Sequence, residues 1–244
     1  QKIGEYCASL VQDGDTIQLG IGGIPDAVVT FLKDKKDLGL HTEMAADGII
    51  DLIEAGVINN KKKTLHRGKS IATFAAGTQR LYDFLDNNPC FELHGVEHVN
   101  NPYVIAQNDN MVSINSCVAV DLYGQVAAES AGVRQISGTG GQLDFLVGAS
   151  ASKGGKAFIC MSSVYKDSKG VVHSRIHPQF NGDIVTSPRS QVYFLATEYG
   201  VVNLEGRSTW ERAEALVSIA HPDFRDELIR EAEARKIWRR SNRR

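Results

Sequence analysis

The chain has 244 residues, enough for one large α/β domain or two small ones. Hydrophobic residues make up 42% and charged residues 23%, a composition that excludes an intrinsically disordered protein. The 27 basic and 29 acidic residues give a formal charge of -2, and no apolar run approaches the roughly 18 residues that a membrane span needs. We therefore expect neither nucleic acid nor a membrane among the partners.

The four cysteines are widely separated and never form a CxxC pair: Cys7, Cys90, Cys117 and Cys160. This usage predicts neither a disulfide framework nor a metal site. Cys117 and Cys160 lie inside apolar runs, which favours a place in the core over a role as nucleophile. The first ten residues, QKIGEYCASL, do not resemble a secretory leader. We expect reduced thiols, no metal and a cytoplasmic protein.

The first part of the chain predicts helices alternating with strands, which is typical of a mostly parallel sheet. The predicted elements are a helix over 3–11, a strand over 16–19, a helix over 26–35, a short strand ending near Glu43 and a helix over 49–55. The chain opens directly inside this pattern. We therefore expect it to be part of a longer protein.

The same alternation continues to the end of the chain. The predicted elements are a strand within 69–77, a helix over 81–87, a helix begun by Pro102, two strands within 111–124 that turn at Gly124, a strand within 156–163, a strand–turn–strand unit over 192–206 and two final helices divided at Pro222. The basic end KIWRRSNRR is interpreted as a solvated helix terminus. This organisation predicts one domain over 1–244 with a helical arm over 207–244.

Two glycine-rich turns are candidate ligand sites. The first, GIGGIP over 20–25, follows a strand and precedes a helix, and the second, SGTGG over 137–141, lies between Ile136 and Leu143. Glycines let a ligand approach the backbone, and N–H groups at a helix start favour negative charge. Neither turn has the GxGxxG spacing of a dinucleotide site or a following Walker lysine. A tight turn without a ligand remains the alternative for each turn alone.

Glu43 is the carboxylate of most interest, because it stands at the end of a short apolar strand rather than on a surface helix. Glu129 and Glu198 occur in similar turn contexts and compete with it. The chain has no HExxH motif and no GxSxG elbow, which argues against a zinc hydrolase and a serine hydrolase. A solvated glutamate without a catalytic role remains the alternative for Glu43.

Seven segments together resemble the acetyl-CoA hydrolase/transferase family of class I CoA-transferases, in particular its 4-hydroxybutyrate and butyryl-CoA:acetate CoA-transferases. The segments are LGIGGIPDAV, LHTEMAADG, VNNP, DLYGQVAAESAG, QISGTGGQLDF, ATEYGVVNLEGRS and AHPDFRDEL. The resemblance runs nearly end to end but covers only the C-terminal half of such proteins. It implies an open α/β/α sandwich of the CoA-transferase (NagB/RpiA-like) type with a helical C-terminal arm. It also implies a homodimer and an N-terminal half that is not in this sequence.

The resemblance also implies roles for particular residues. Glu43 matches the nucleophilic glutamate. The residues implied to contact coenzyme A or line the active site are Gly20, Ile21, Gly22, Gly23 and Ile24 of the first glycine loop, Asn100 of VNNP, Gly138, Gly140 and Gly141 of the second loop, Lys156, and Glu198 of TEYG. Coenzyme A is then a substrate and product, and no metal is required.

The implied reaction moves CoA from an acyl-CoA to a short-chain carboxylate through an acyl-glutamyl anhydride and a glutamyl-CoA thioester. A desolvated, positioned carboxylate is an effective nucleophile toward a thioester. Two alternatives remain open. One is an acyl-CoA hydrolase on the same scaffold, in which water replaces the acceptor acid. The other is a non-catalytic module that binds CoA or a sugar phosphate, because fold alone does not determine function.

Overall fold

The computed structural model describes residues 1–20 and 22–237, which form two compact units. Apart from the first two residues, the first unit comprises Ile3–Asn115 and Gly141–Phe158. The second comprises Ser116–Gly140 and the chain from Ile159 onward. Among the described residues, no helix is long and apolar enough to cross a membrane.

The described residues of the first unit form seven helices and six strands. The helices are α1 (Lys2–Leu10), α2 (Gly23–Phe31), α3 (Gly48–Glu54), α4 (Gln79–Leu85), α5 (Val96–Val99), α6 (Pro102–Ile105) and α7 (Gln142–Ala151). The strands are β1 (Thr16–Leu19), β2 (Gly39–Ala45), β3 (Ser70–Ala75), β4 (Phe91–Leu93), β5 (Met111–Ser116) and β10 (Lys156–Cys160), the last two extending across the division between the units. The predicted strand over 16–19 is found at those residues.

The strands of the first unit follow the order β10-β5-β1-β2-β3-β4. β1 pairs in parallel with β2 and with β5, so that Thr16 lies opposite both Gly39 and Met111. β2, β3 and β4 continue the parallel pairing. All four side chains of β1 are buried, as expected for a central strand covered on both faces. The carboxyl ends of β1 to β5 therefore meet at one edge of the sheet.

Helix α7, which follows the second glycine turn, is not among the elements predicted from the sequence. The segment QLDFLVGASA combines apolar and small residues on all sides of the helix, so its helical period is weak. Gly148 shows why a small residue is needed there. A Cβ atom at Gly148 would lie 2.5 Å from Cβ of Ile105, because α6 and α7 pack closely at this point.

The second unit consists of short strands and two final helices. Its strands are β6 (Ala119–Asp121), β7 (Val126–Ala127), β8 (Ser130–Ala131), β9 (Arg134–Gln135), β11 (Val164–Lys166), β12 (Val172–Ser174), β13 (Ile176–His177), β14 (Phe194–Thr197) and β15 (Gly200–Asn203). A 3₁₀ turn over Arg189–Gln191 precedes β14. β14 and β15 form the predicted strand–turn–strand unit and are antiparallel.

The two predicted final helices are α8 (Thr209–Ser218) and α9 (Pro222–Ala234). α8 begins with a capping box between Ser208 and Glu211, and Pro222 occupies the first turn of α9, where its missing N–H is not needed. The helical arm over 207–244 as part of one domain stays a prediction. Most of the basic end of the chain, residues 238–244, lies outside the described residues.

Lys63 is a buried cation beside the start of β2. Its side chain is 3% exposed, and its ammonium Nζ donates to the carbonyls of Leu40 and Lys69 at 2.9 and 2.8 Å. Burial lowers the pKa of Lys63 to about 7, against a weaker opposing effect of the Glu92 charge. An unfolded lysine keeps its proton to about pH 10.4. Between these pH values, folding therefore releases a proton from Lys63.

We expect the free energy of unfolding to rise with pH between about 7 and 10 through this group, because the unfolded state binds more protons there. Lys63→Met removes the titrating group. The stability difference between wild type and variant should therefore change by about 2 kcal/mol between pH 7 and pH 9, measured by urea unfolding. The matched control is Lys62→Met, at an exposed neighbour. An equal pH dependence in all three proteins would show that the pKa of Lys63 is not lowered in the folded protein.

Candidate functional site

Glu43 lies at the carboxyl edge of the parallel sheet, as predicted. It is the fifth of seven residues in β2, whose first four residues are buried. Glu43 and Met44 are half-buried, and the last residue of the strand, Ala45, is buried again. The strand therefore holds the backbone of Glu43 rigidly while its carboxylate is partly accessible at the sheet edge.

Each oxygen of the Glu43 carboxylate accepts one hydrogen bond. The side-chain amide of Asn100 donates through Nδ2 to Oε1 at 2.9 Å. The backbone N–H of Gly141 donates to Oε2 at 3.1 Å. Hydrogen bonds to an ionised acceptor are stronger than neutral ones. The two donors thus fix both the position and the rotation of the carboxylate.

Asn100 is positioned by two short helices. It caps the carboxyl end of α5, and its backbone N–H donates to the carbonyl of Val96 at 3.0 Å. The next residue, Asn101, caps the start of α6 by accepting from the N–H of Tyr103, and Pro102 fits the first turn. The motif VNNP therefore connects the capped end of α5 to the capped start of α6. Asn100 is 7% exposed, and its Oδ1 has no hydrogen-bond partner among the described residues.

Gly141 is the last residue of the second glycine turn and immediately precedes α7. A Cβ atom at this position would lie 2.9 Å from Oε2 of Glu43 and still closer to Nδ2 of Asn100. Only glycine therefore lets the backbone approach the carboxylate closely enough to donate to it. Asp144, in the first turn of α7, is a second carboxyl group nearby. Burial and, to a smaller extent, the Glu43 charge raise the pKa of Asp144.

In the first glycine turn, Gly20 is required by close packing, whereas Gly22 and Gly23 are exposed. A Cβ atom at Gly20 would lie 2.7 Å from Oδ1 of Asn115, so that glycine is required by the sheet itself. Gly22 has φ +118, a conformation that favours glycine, and it is exposed together with Gly23. Ile24 is half-buried in α2. Ile21 lies outside the described residues.

The other predicted glycines, Gly138 and Gly140, belong to the second unit. Both are exposed, within a segment from 131 to 140 that is exposed throughout. No atom lies within 4 Å of a Cβ placed at Gly138, and Gly140 has φ +56. Their backbones are therefore accessible, and their contact with CoA stays a prediction.

The structure does not bring Lys156 to the carboxyl edge. Lys156 is the first residue of β10, and its Nζ lies 3.9 Å from Oδ2 of Asp15, which directly precedes β1. The residues before parallel strands lie at the opposite edge from those that follow them. Nothing in this arrangement supports the predicted contact of Lys156 with CoA at the Glu43 site.

The two competing glutamates lie in the second unit and differ in their partners. Glu198 is held in the β14–β15 turn, where its carboxylate accepts from the N–H of Ser163 at 2.9 Å and from the Ser163 hydroxyl at 2.5 Å. Glu129 is 5% exposed, and its Oε2 has no hydrogen-bond partner among the described residues. Neither carboxylate has the pair of donors from separate elements that Glu43 has.

Among the described residues, no group of three or more side chains has the arrangement of a metal site. The histidines that come nearest each other are His66, His94 and His98, with ring centroids 5.1 to 5.3 Å apart. His94 and His98 are four residues apart in sequence. Nε2 of His66 and Nε2 of His98 lie 2.9 Å apart, which is a hydrogen bond between rings.

Residues 77–232 match the family description "Acetyl-CoA hydrolase/transferase C-terminal domain". The chain belongs to this family. The matched segment includes Asn100 and Gly141 and begins after Glu43.

Relatives of this family cover almost the whole chain. It is 58% identical over 236 residues to the 4-hydroxybutyrate coenzyme A transferase of Clostridium kluyveri, and the match covers 96% of this chain and 54% of that protein. It is 50% identical over 245 residues to the butyryl-CoA:acetate CoA-transferase of Anaerostipes caccae, covering 99% of this chain and 55% of that protein.

A solved structure shows the same fold. The crystal structure of 4-hydroxybutyrate CoA-transferase from Porphyromonas gingivalis superposes with a TM-score of 0.82 at 49% identity, covering 96% of this chain and 55% of that one. The predicted family and fold class are therefore confirmed. The chain spans about half the length of the relatives it matches.

Gly141→Ala tests the geometry around the carboxylate. The added methyl would displace Glu43 and Asn100, and we expect a loss of CoA-transfer turnover of about 100-fold, the size associated with a misplacement of about 1 Å. Activity would be measured by steady-state kinetics and folding by circular dichroism. The control is Ser150→Ala in the same helix, which removes a buried hydroxyl without a described partner. Full turnover in a folded Gly141→Ala protein would show that the N–H of Gly141 does not position Glu43.

Proposed function

We propose that this chain is the catalytic half of a CoA-transferase in which Glu43 is the nucleophile. The observation that carries the proposal is the Glu43 carboxylate at the sheet edge with one donor on each oxygen, from Asn100 and from Gly141. The identity to relatives named as CoA-transferases supports transfer over other chemistries. The N-terminal half, a homodimer and a cytoplasmic location are part of the same proposal.

The proposed reaction has four steps. An oxygen of Glu43 attacks the thioester carbonyl of the acyl-CoA, and CoA thiolate leaves, giving an acyl-glutamyl anhydride. The thiolate then attacks the glutamyl carbon and expels the first carboxylate, which leaves a glutamyl-CoA thioester. A second carboxylate attacks this thioester to form a new anhydride and free the thiolate. Thiolate attack on the new acyl carbon releases the new acyl-CoA and restores Glu43.

The two donors have a role in the steps at the glutamyl carbon. Whichever oxygen of Glu43 attacks, the other still accepts a hydrogen bond from Asn100 or Gly141. That second oxygen becomes the oxyanion when thiolate or carboxylate adds to the glutamyl carbon. A donor already aimed at the developing charge needs no reorganisation, and the loss of one such donor typically costs about 100- to 1000-fold in rate. No proton transfer is needed in any step.

The substrates proposed are an acyl-CoA and a short-chain carboxylate, namely the acetyl, butyryl or 4-hydroxybutyryl class. The activities for which the relatives are named support this class. For coenzyme A, the exposed backbone at Gly22 and Gly23 before α2 supports binding at the first glycine turn. The exposed backbone at Gly138 and Gly140 supports binding at the second.

Mapping the covalent intermediate tests the role of Glu43. After incubation of the natural-length protein with acyl-CoA, CoA should be attached to the peptide that contains Glu43. Borohydride should convert that side chain to an alcohol, because a thioester is reducible and a free carboxylate is not. Glu43→Gln keeps the size of the side chain but not its charge, so we expect it to abolish the adduct and transfer. The measurement is peptide mass spectrometry with transferase kinetics.

The matched controls are Glu129→Gln and Glu198→Gln, which should still form the adduct at Glu43 even if turnover is slower. An adduct at Glu129 would show that Glu129, and not Glu43, is the nucleophile. Transfer without any glutamyl adduct would contradict the proposed intermediates. Two other functions have distinct results: an acyl-CoA hydrolase releases CoA equally with and without acetate, and a non-catalytic module binds CoA without turnover.

A further inference from the structure

His41 is a buried histidine for which the reaction above has no direct use. It stands two residues before Glu43 in β2, and alternation along a strand places both side chains on the same face. Its side chain is fully buried, at 0% exposure. Its Nε2 lies 2.8 Å from the carbonyl oxygen of Val99. Because a carbonyl only accepts, Nε2 carries the proton and donates.

This hydrogen bond acts on the residue next to Asn100. Val99 ends α5, and Asn100 follows it directly as the helix cap. His41 and Glu43 of β2 therefore bond to two consecutive residues of the VNNP segment, one through the Val99 carbonyl and one through the Asn100 amide. Two bonds at adjacent positions fix both the distance and the angle between α5 and β2. One bond alone would leave the Asn100 side chain free to turn with the helix end.

The His41 ring also lies near the helix whose start supplies the second donor. The ring of Phe145 is 6.1 Å from that of His41, centroid to centroid, at an interplanar angle of 57°. Phe145 is fully buried in α7, and its N–H donates to the carbonyl of Gly141 at 3.0 Å. Gly141, which donates to Oε2 of Glu43, is therefore one helical turn from Phe145, and the ring of Phe145 packs against His41.

We propose that His41 is a positioning residue that holds both hydrogen-bond donors of Glu43 in place, Asn100 through the Val99 carbonyl and Gly141 through Phe145. This inference rests on the proposed role of Glu43. It assigns His41 no contact with substrate and no proton transfer. Burial lowers the pKa of His41 to about 4, so the ring is neutral at physiological pH. Its Nδ1 has no hydrogen-bond partner among the described residues.

The test compares three variants of the natural-length protein. His41→Phe keeps a ring against Phe145 but removes the donor to Val99. His41→Gln keeps an N–H donor at a similar reach from the backbone. Leu40→Ala is the matched control: Leu40 is the fully buried neighbour in the same strand, and alternation turns it to the opposite face. It should weaken the strand without touching the Val99 bond.

We expect His41→Phe to lower kcat by about 100-fold while the KM for acyl-CoA changes little, because the loss lies in the orientation of Glu43 and not in CoA binding. His41→Gln should restore most of kcat. Leu40→Ala should lose thermal stability but keep kcat per folded molecule. Circular dichroism gives the folded fraction of each variant for this normalisation.

Two results would overturn the inference. One is a kcat of wild-type size in folded His41→Phe. The other is a loss of kcat in His41→Phe that His41→Gln does not restore, or that is equalled by the loss of kcat in Leu40→Ala. Either outcome would show that His41 only fills the core. Failure of the proposed function has a different result, namely an active Glu43→Gln protein or no adduct at Glu43 in the wild type. The two failures are therefore distinguishable.

Discussion

The carboxylate of Glu43, held between Asn100 and the backbone of Gly141, is the interaction on which the candidate site depends. A strand fixes its backbone, and two different helix ends supply its donors. A free carboxylate in water is heavily solvated and a poor nucleophile toward a thioester. The two hydrogen-bond donors replace part of that solvation, and they keep their positions while charge develops on the carboxylate oxygens during the reaction. The fold of the first unit brings these three residues together.

The packing around the Glu43 carboxylate depends on Gly148, Gly141 and His41. Gly148 lets α7 approach α6, and Gly141 lets the start of α7 reach Glu43. His41 fills the space behind the donors and bonds to the carbonyl before Asn100. A small shift in any of these residues would change an angle at the carboxylate. Packing and function are therefore coupled in this region, because close-packed interiors transmit displacement.

Much of the fold could be predicted from the sequence, because its signals are local. The run TIQL before a glycine predicts β1 to the residue, and Pro222 marks the division between α8 and α9. The helix α7 has no such signal, since small and apolar residues surround its axis. Loop resemblance predicts that Lys156 contacts CoA, whereas the strand that it begins places it beside Asp15.

The site could be predicted only in part, because its contacts are distant in sequence. Asn100 and Gly141 lie 57 and 98 residues from Glu43, and family resemblance pointed to both. His41 is not among the residues predicted from the sequence, because its bond to the Val99 carbonyl joins positions 58 residues apart. The most direct measurement of the central claim is a single turnover with acetate labelled with heavy oxygen. If Glu43 is the nucleophile, its peptide gains one heavy oxygen atom by mass spectrometry; label in the acyl-CoA with none in that peptide would contradict it.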